Sequence, residues 1–157
     1  MTNTLSPGVV RLERALRKLG KSITEPVIAR IEGLTNGQIF MIYHINEVGA
    51  CTVSALAAKM EVKPSAITVM LDRLESHGYV IRERGTEDRR VVHVALTEEG
   101  KGVLERVIHM HNRLVHHHLA QLPECEVEQL LDSLEKLADI AATSDVDSIL
   151  NDSICEP

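Results

Sequence analysis

The chain has 157 residues, of which 44% are hydrophobic and 25% charged, so it is sized for one globular domain with its own core. No apolar run approaches the roughly 20 residues of a membrane-spanning helix and the N-terminus carries no apolar signal core, which sets the expectation of a cytoplasmic protein. The net charge of −6 argues at first against a nucleic-acid partner, the three scattered cysteines (Cys51, Cys125, Cys155) argue against a disulfide framework, and the scarcity of aromatics (Phe40, Tyr43, Tyr79) argues against single-strand binding by base stacking.

Met1–Pro7 is a polar arm. Val9, Leu12, Leu16, Leu19 and Ile23 then recur at helical spacing with Arg11, Arg14, Arg17 and Lys18 opposite, which predicts an amphipathic helix that Pro26 ends, kinks or restarts. Thr35 is placed to cap the next helix. Phe40, Met41, Ile42, Tyr43, Ile45 and Val48 make that helix apolar around most of its circumference, which predicts burial in the middle of the fold. His44 interrupts the run and reads either as a satisfied core residue or as part of a ligand pocket. Gly49 closes the segment, and Cys51-Thr52 is placed to add a short strand to a later hairpin.

The stretch from Thr52 to Thr97 organises the rest. Thr52 or Ser54 caps a short helix with Val53, Leu56, Ala57 and Met60 at helical spacing. After the turn Glu61-Val62-Lys63, Pro64 suits the first position of a second helix. Ile67, Met70, Leu71 and Leu74 form its apolar stripe, while Ser65, Thr68, Val69, Asp72 and Arg73 fall mostly outside it. Gly78 offers a left-handed stop. Two alternating strands follow, Tyr79–Arg84 and Val91–Leu96, joined by the polar tip Gly85–Arg90. Two helices on a tight turn and then a charged hairpin make a winged helix-turn-helix: the second helix is sized for a major groove, and Arg89 and Arg90 can reach phosphates or a narrow minor groove. The fold class is mostly α with a small β wing.

Beyond the wing, Thr97 caps a long helix with Glu98 and Glu99 in its first turn, and Pro123 ends it and opens a final helix striped by Val127, Leu130, Leu131, Leu134, Leu137, Ala138 and Ala141. From Thr143 the chain reads as a flexible acidic tail with one helical turn at Val146–Leu150. Five histidines fall in the long helix: His109, His111, His116, His117 and His118. Two ligands on one face need i,i+3 or i,i+4 spacing, which no pair here has. His111 and His118 are seven apart, about 10.5 Å along the axis, too far for one zinc at ~2.1 Å from each nitrogen. The cluster therefore reads first as helix surface and polar contacts, then as a metal site (His109, His111, His118) completed from elsewhere, then as a pH-sensitive interface. Cys125, at a helix start, is the redox candidate, although Glu124 and Glu126 disfavour a thiolate there. No Ser/His/Asp or Cys/His set and no Gly-rich phosphate loop argues for an enzyme.

The series Leu71-Asp72-Arg73-Leu74-Glu75, His77-Gly78-Tyr79-Val80, Arg82, Arg84, Glu87-Asp88-Arg89-Arg90 and Leu96-Thr97-Glu98-Glu99-Gly100 resembles the MarR family of bacterial transcription regulators, with the likeness running from about Ser6 to Ala142. The resemblance implies one integrated domain: an N-terminal dimerisation region (1–33), a DNA-binding lobe (34–97), C-terminal dimerisation helices (98–142) and the tail (143–157). It implies a homodimeric repressor on a pseudo-palindromic double-stranded operator, modulated by a small effector bound near the junction of dimer helices and lobes, with Met41, His44 and His111 as the expected pocket. It assigns Arg90 to the minor groove and Asp88 to wing support, holding the other arginine by a bidentate pair. Relatives that sense zinc carry acid and His residues where this chain has Ile39 and Phe40, and relatives that sense oxidants use a cysteine near the N-terminal helix, which this chain lacks.

The segment from Glu61 to Val94 holds six basic and six acidic residues, so the whole −6 lies outside it and the docking face is neutral overall. The expected DNA contacts are Lys63, Arg73 and Arg84 to phosphate, Ser65, Thr68 and Val69 to base edges, and Arg89 and Arg90 from the wing. Arg73 and Arg84 have a competing reading as surface ion pairs with Glu75 or Glu83. No cofactor is required by this reading. Its rivals are a zinc-responsive regulator and a winged helix that binds protein rather than DNA.

Overall fold

A computed structural model describes residues 6–31, 33–84 and 91–152. Their order is α1 (Pro7–Ile28), α2 (Asn36–Val48), β1 (Cys51–Thr52), α3 (Val53–Lys59), α4 (Pro64–Ser76), β2 (Val80–Arg84), β3 (Val92–Leu96), α5 (Glu98–Leu119), α6 (Glu124–Thr143) and α7 (Val146–Asp152). The chain divides into two compact units, one up to Leu114 and one from Val115.

Local chemistry sets most boundaries of the first unit. Thr35 and Gln38 form a capping box at the start of α2. Thr52 accepts from the Ala55 amide to cap α3. Pro64 begins α4, where Lys63 occupies the capping position without a side-chain bond. Gly78 takes a φ of 72°, the left-handed geometry that ends α4. Thr97 does two jobs: its oxygen accepts from the Gly100 amide at 3.0 Å, and its hydroxyl donates to the Gly78 carbonyl at 2.6 Å.

The sheet has the order β1-β3-β2 and is antiparallel throughout, so the expected third strand at Cys51-Thr52 is present. Cys51 lies opposite Val94, Val80 opposite Leu96, and Arg84 opposite Val92. The core gathers Met41, Ile42 and Ile45 of α2, Leu56 of α3, Ile67, Leu71 and Leu74 of α4, Val80 and Val94 of the sheet, and Val103 and Leu104 of α5. Each such side chain stabilises by about 1.5–3 kcal/mol on burial. Gln38 is the buried polar residue among them, and its amide reaches the Met70 carbonyl at 3.5 Å, tying α2 to α4.

Three expectations are corrected. Pro26 neither ends nor restarts the first helix: α1 runs through it to Ile28. The proline falls in the last turn, where it forfeits a single amide bond while Ile23 and Val27 stay buried on either side. The second helix is not buried all round: Phe40, Tyr43 and Val48 are exposed, because only the face bearing Met41, Ile42 and Ile45 meets the core. Part of the tail is ordered as α7, longer than the single turn expected.

In the second unit α6 carries Leu130, Leu131, Leu134, Leu137 and Ile140 at helical spacing, and none of its residues is buried. Val146, Ile149 and Leu150 of α7 are exposed as well. Among the described residues no helix is long and apolar enough to cross a membrane.

Candidate nucleic-acid interface

The second helix of the helix-turn-helix separates its faces cleanly. Ile67, Leu71 and Leu74 are fully buried, while Ser65, Ala66, Thr68, Val69, Asp72 and Arg73 are exposed. Val69 is 63% exposed. Thr68 donates its hydroxyl to the Pro64 carbonyl at 3.1 Å. At the far end Ser76 Oγ donates to the Arg73 carbonyl at 2.8 Å, and His77 Nδ1 lies 2.7 Å from the same oxygen.

Arg82 of β2 reaches across to the helix. Its guanidinium lies 2.5 Å from Asp72 Oδ1 and 3.5 Å from Glu75 Oε2, and it also reaches the Thr68 carbonyl at 3.5 Å. The Nε atom is buried and faces Glu75 as an ion pair without hydrogen-bond alignment. Arg82 is therefore a strap between strand and helix. Sequence reading did not single it out, yet a signal existed: Asp72 and Glu75 sit three apart on α4, facing an arginine on the adjacent strand.

That strap answers the question left over Arg73 and Arg84. Glu75 is engaged by Arg82, and among the described residues neither Arg73 nor Arg84 makes an ion pair. Lys63, Arg73 and Arg84 are thus exposed cations placed at the start of α4, its last turn and the end of β2. Asp88, Arg89 and Arg90 lie outside the described residues.

A second feature of this unit is a cleft of 420 Å³ between α1, α2 and α5. Val27 and Ile28, Ile39, and Leu104, Val107 and Ile108 make its walls; Thr24, Asn36, Tyr43, His111 and Asn112 bring polar atoms, and among the described residues no Lys, Arg, Asp or Glu lines it. Its size is that of a small-molecule site. Of the three expected pocket residues only His111 lines it. Met41 points into the core with no exposure, and His44, on the same helix, is half-buried away from the cleft. The face of α2 that does line it is Asn36, Ile39 and Tyr43.

Residues 34–92 match the model of the MarR family. Over 85% of this chain and 88% of the relative, it is 35% identical to the HTH-type transcriptional repressor MdtR of Bacillus subtilis. This chain belongs to the MarR family. Its fold agrees: the crystal structure of YusO from Bacillus subtilis superposes with a TM-score of 0.70 at 30% identity, covering 89% of this chain and 100% of that one. A cysteine mutant of MarR from E. coli gives 0.73 at 26% identity, covering 87% and 99%. The chain is accordingly a transcriptional regulator whose DNA-binding element is the winged helix-turn-helix described above.

The other site candidates of this MarR-family chain are dispersed. His109 lies in a shallow groove with Arg30, Glu105 and Arg106, away from His111 in the cleft. His118 is exposed beside His117, with ring centroids 5.7 Å apart. Among the described residues no three His, Cys, Asp or Glu side chains gather as a metal-binding group. Cys125 is exposed at the start of α6. Cys51 is half-buried in β1, where burial pushes its thiol up from the ordinary value and so makes it less nucleophilic.

Proposed function

We propose that this chain is a cytoplasmic homodimeric repressor that binds a pseudo-palindromic double-stranded operator and is modulated by a small effector held in the cleft between α1, α2 and α5. The observation that carries the reading is the outward face of α4, where Ser65, Thr68, Val69 and Arg73 are exposed while Ile67, Leu71 and Leu74 opposite are buried, with Lys63 and Arg84 exposed beside it. Repression is supported by the name of the relative MdtR. Dimerisation is supported by the uncovered apolar stripes of α1 (Val9, Leu12, Leu16, Leu19) and α6. Two lobes would then read half-sites about one helical turn, roughly 34 Å, apart.

In this reading Lys63, Arg73 and Arg84 neutralise phosphates, Ser65, Thr68 and Val69 meet base edges, and the wing reaches the minor groove through Arg90 while Asp88 holds Arg89 beside it. No cofactor is invoked. The cleft would take a largely apolar molecule, since its walls are apolar and among the described residues no lysine or arginine lines it.

The test is fluorescence anisotropy on a duplex selected from a random pool, titrated with salt and repeated with zinc and with chelator. Selective, salt-sensitive and metal-independent binding is expected, and Arg90→Ala should cost about 1–3 kcal/mol of it with the melting temperature unchanged. Binding that appears only with zinc would replace this reading by a metal-responsive regulator acting through His109, His111 or His118. Absence of selective binding would replace it by a protein-binding winged helix.

A further inference from the structure

The exposed face of α4 is poor in the groups that read bases by hydrogen bonding. Bidentate recognition of guanine uses Arg or Lys, and that of adenine uses Asn or Gln. The α4 sequence PSAITVMLDRLES holds no Lys, Asn or Gln, and its one arginine, Arg73, sits in the last turn. Acidic acceptors for cytosine are also committed, because Asp72 and Glu75 are both engaged by Arg82. The Thr68 hydroxyl hydrogen is used on the Pro64 carbonyl, so that side chain offers a methyl group and an acceptor but no donor. Ala66 and Val69 offer only methyl groups, and both are exposed.

What the middle of this helix presents to a major groove is therefore a methyl-rich surface. The group on a base edge that complements it is the C5-methyl of a pyrimidine, which B-DNA displays in the major groove at thymine. We infer that α4 reads its operator chiefly through C5-methyl groups packed on Ala66, Thr68 and Val69, so that thymine and 5-methylcytosine are preferred over uracil and cytosine at the positions it covers. This rests on the DNA-binding reading above and goes further by naming the chemical group recognised.

The experiment uses the full chain and an operator duplex enriched from a random pool, resynthesised with deoxyuridine in place of each thymine in turn, which deletes a single methyl group. At the positions under α4 the dissociation constant should rise about fourfold per methyl, the factor that corresponds to roughly 0.8 kcal/mol for one buried methyl-sized group. At other positions it should not change. In Val69→Ser, a change at an exposed site that leaves the fold intact, the deoxyuridine penalty at one of those positions should vanish. Equal affinity for thymine and deoxyuridine duplexes at every position would overturn the inference, and so would a penalty that persists unchanged in Val69→Ser. A pool that yields no enriched sequence is a different result, and it overturns the DNA-binding reading itself.

Discussion

The helices α4 and α6 use the same sequence device and meet opposite fates. Ile67, Leu71 and Leu74 of α4 recur at helical spacing and are fully buried; Leu130, Leu134 and Leu137 of α6 recur in the same way and remain 40–47% exposed. The difference is not in the helices but in what the chain folds around them. The unit ending at Leu114 brings α2, α3 and the sheet onto α4, whereas the unit beginning at Val115 has no buried residue in α6. An amphipathic stripe announces that a face will be covered and is silent about whether the cover lies in the same chain.

Charging the uncovered stripe of α6 has the largest expected effect. Leu134→Glu with Leu137→Glu should abolish the proposed dimer and its selective operator binding while far-UV circular dichroism stays helical. Sedimentation would show a monomer, and the melting temperature would lose its dependence on protein concentration. A persisting dimer would mean that α6 is not the covered face. Next in size, Leu71→Ala opens a cavity in a fully packed core and should cost about 2–5 kcal/mol in denaturant unfolding, far more than Leu130→Ala measured on the monomeric variant. The smallest test compares two helical glycines. A Cβ at Gly100 would overlap the Tyr79 carbonyl, so Gly100→Ala should destabilise by about 1–3 kcal/mol. A Cβ at Gly20 of α1 meets nothing within 4 Å, and Gly20→Ala should stabilise by about 0.5–1 kcal/mol. Thermal melts of the two variants decide both.

Much of the lobe could be read before folding because its signals are local. The caps at Thr35, Thr52 and Thr97, the proline that opens α4 and the glycine that ends it each act within a few residues of their own position. What escaped reading depends on approach across the fold. Gly100 stood in the sequence as the end of a motif, whereas its place is dictated by the backbone at Tyr79. Met41 and Ile39 differ by two positions on one helix, and that rotation alone decides which enters the core and which lines the cleft. Arg82 passed as one element of a motif, and its partners became visible only when β2 was laid beside α4.

The strap from Arg82 to Asp72 and Glu75 has a consequence for regulation. It ties α4 to β2, so the reading helix and that strand are linked by side chains as well as by the core. An effector that moved α4 and β2 together would leave the base preferences of α4 intact. Operators selected with and without effector should then share one half-site sequence and differ in the number of base pairs separating the halves. Repression would be tuned through operator length, with the spelling of each half left alone.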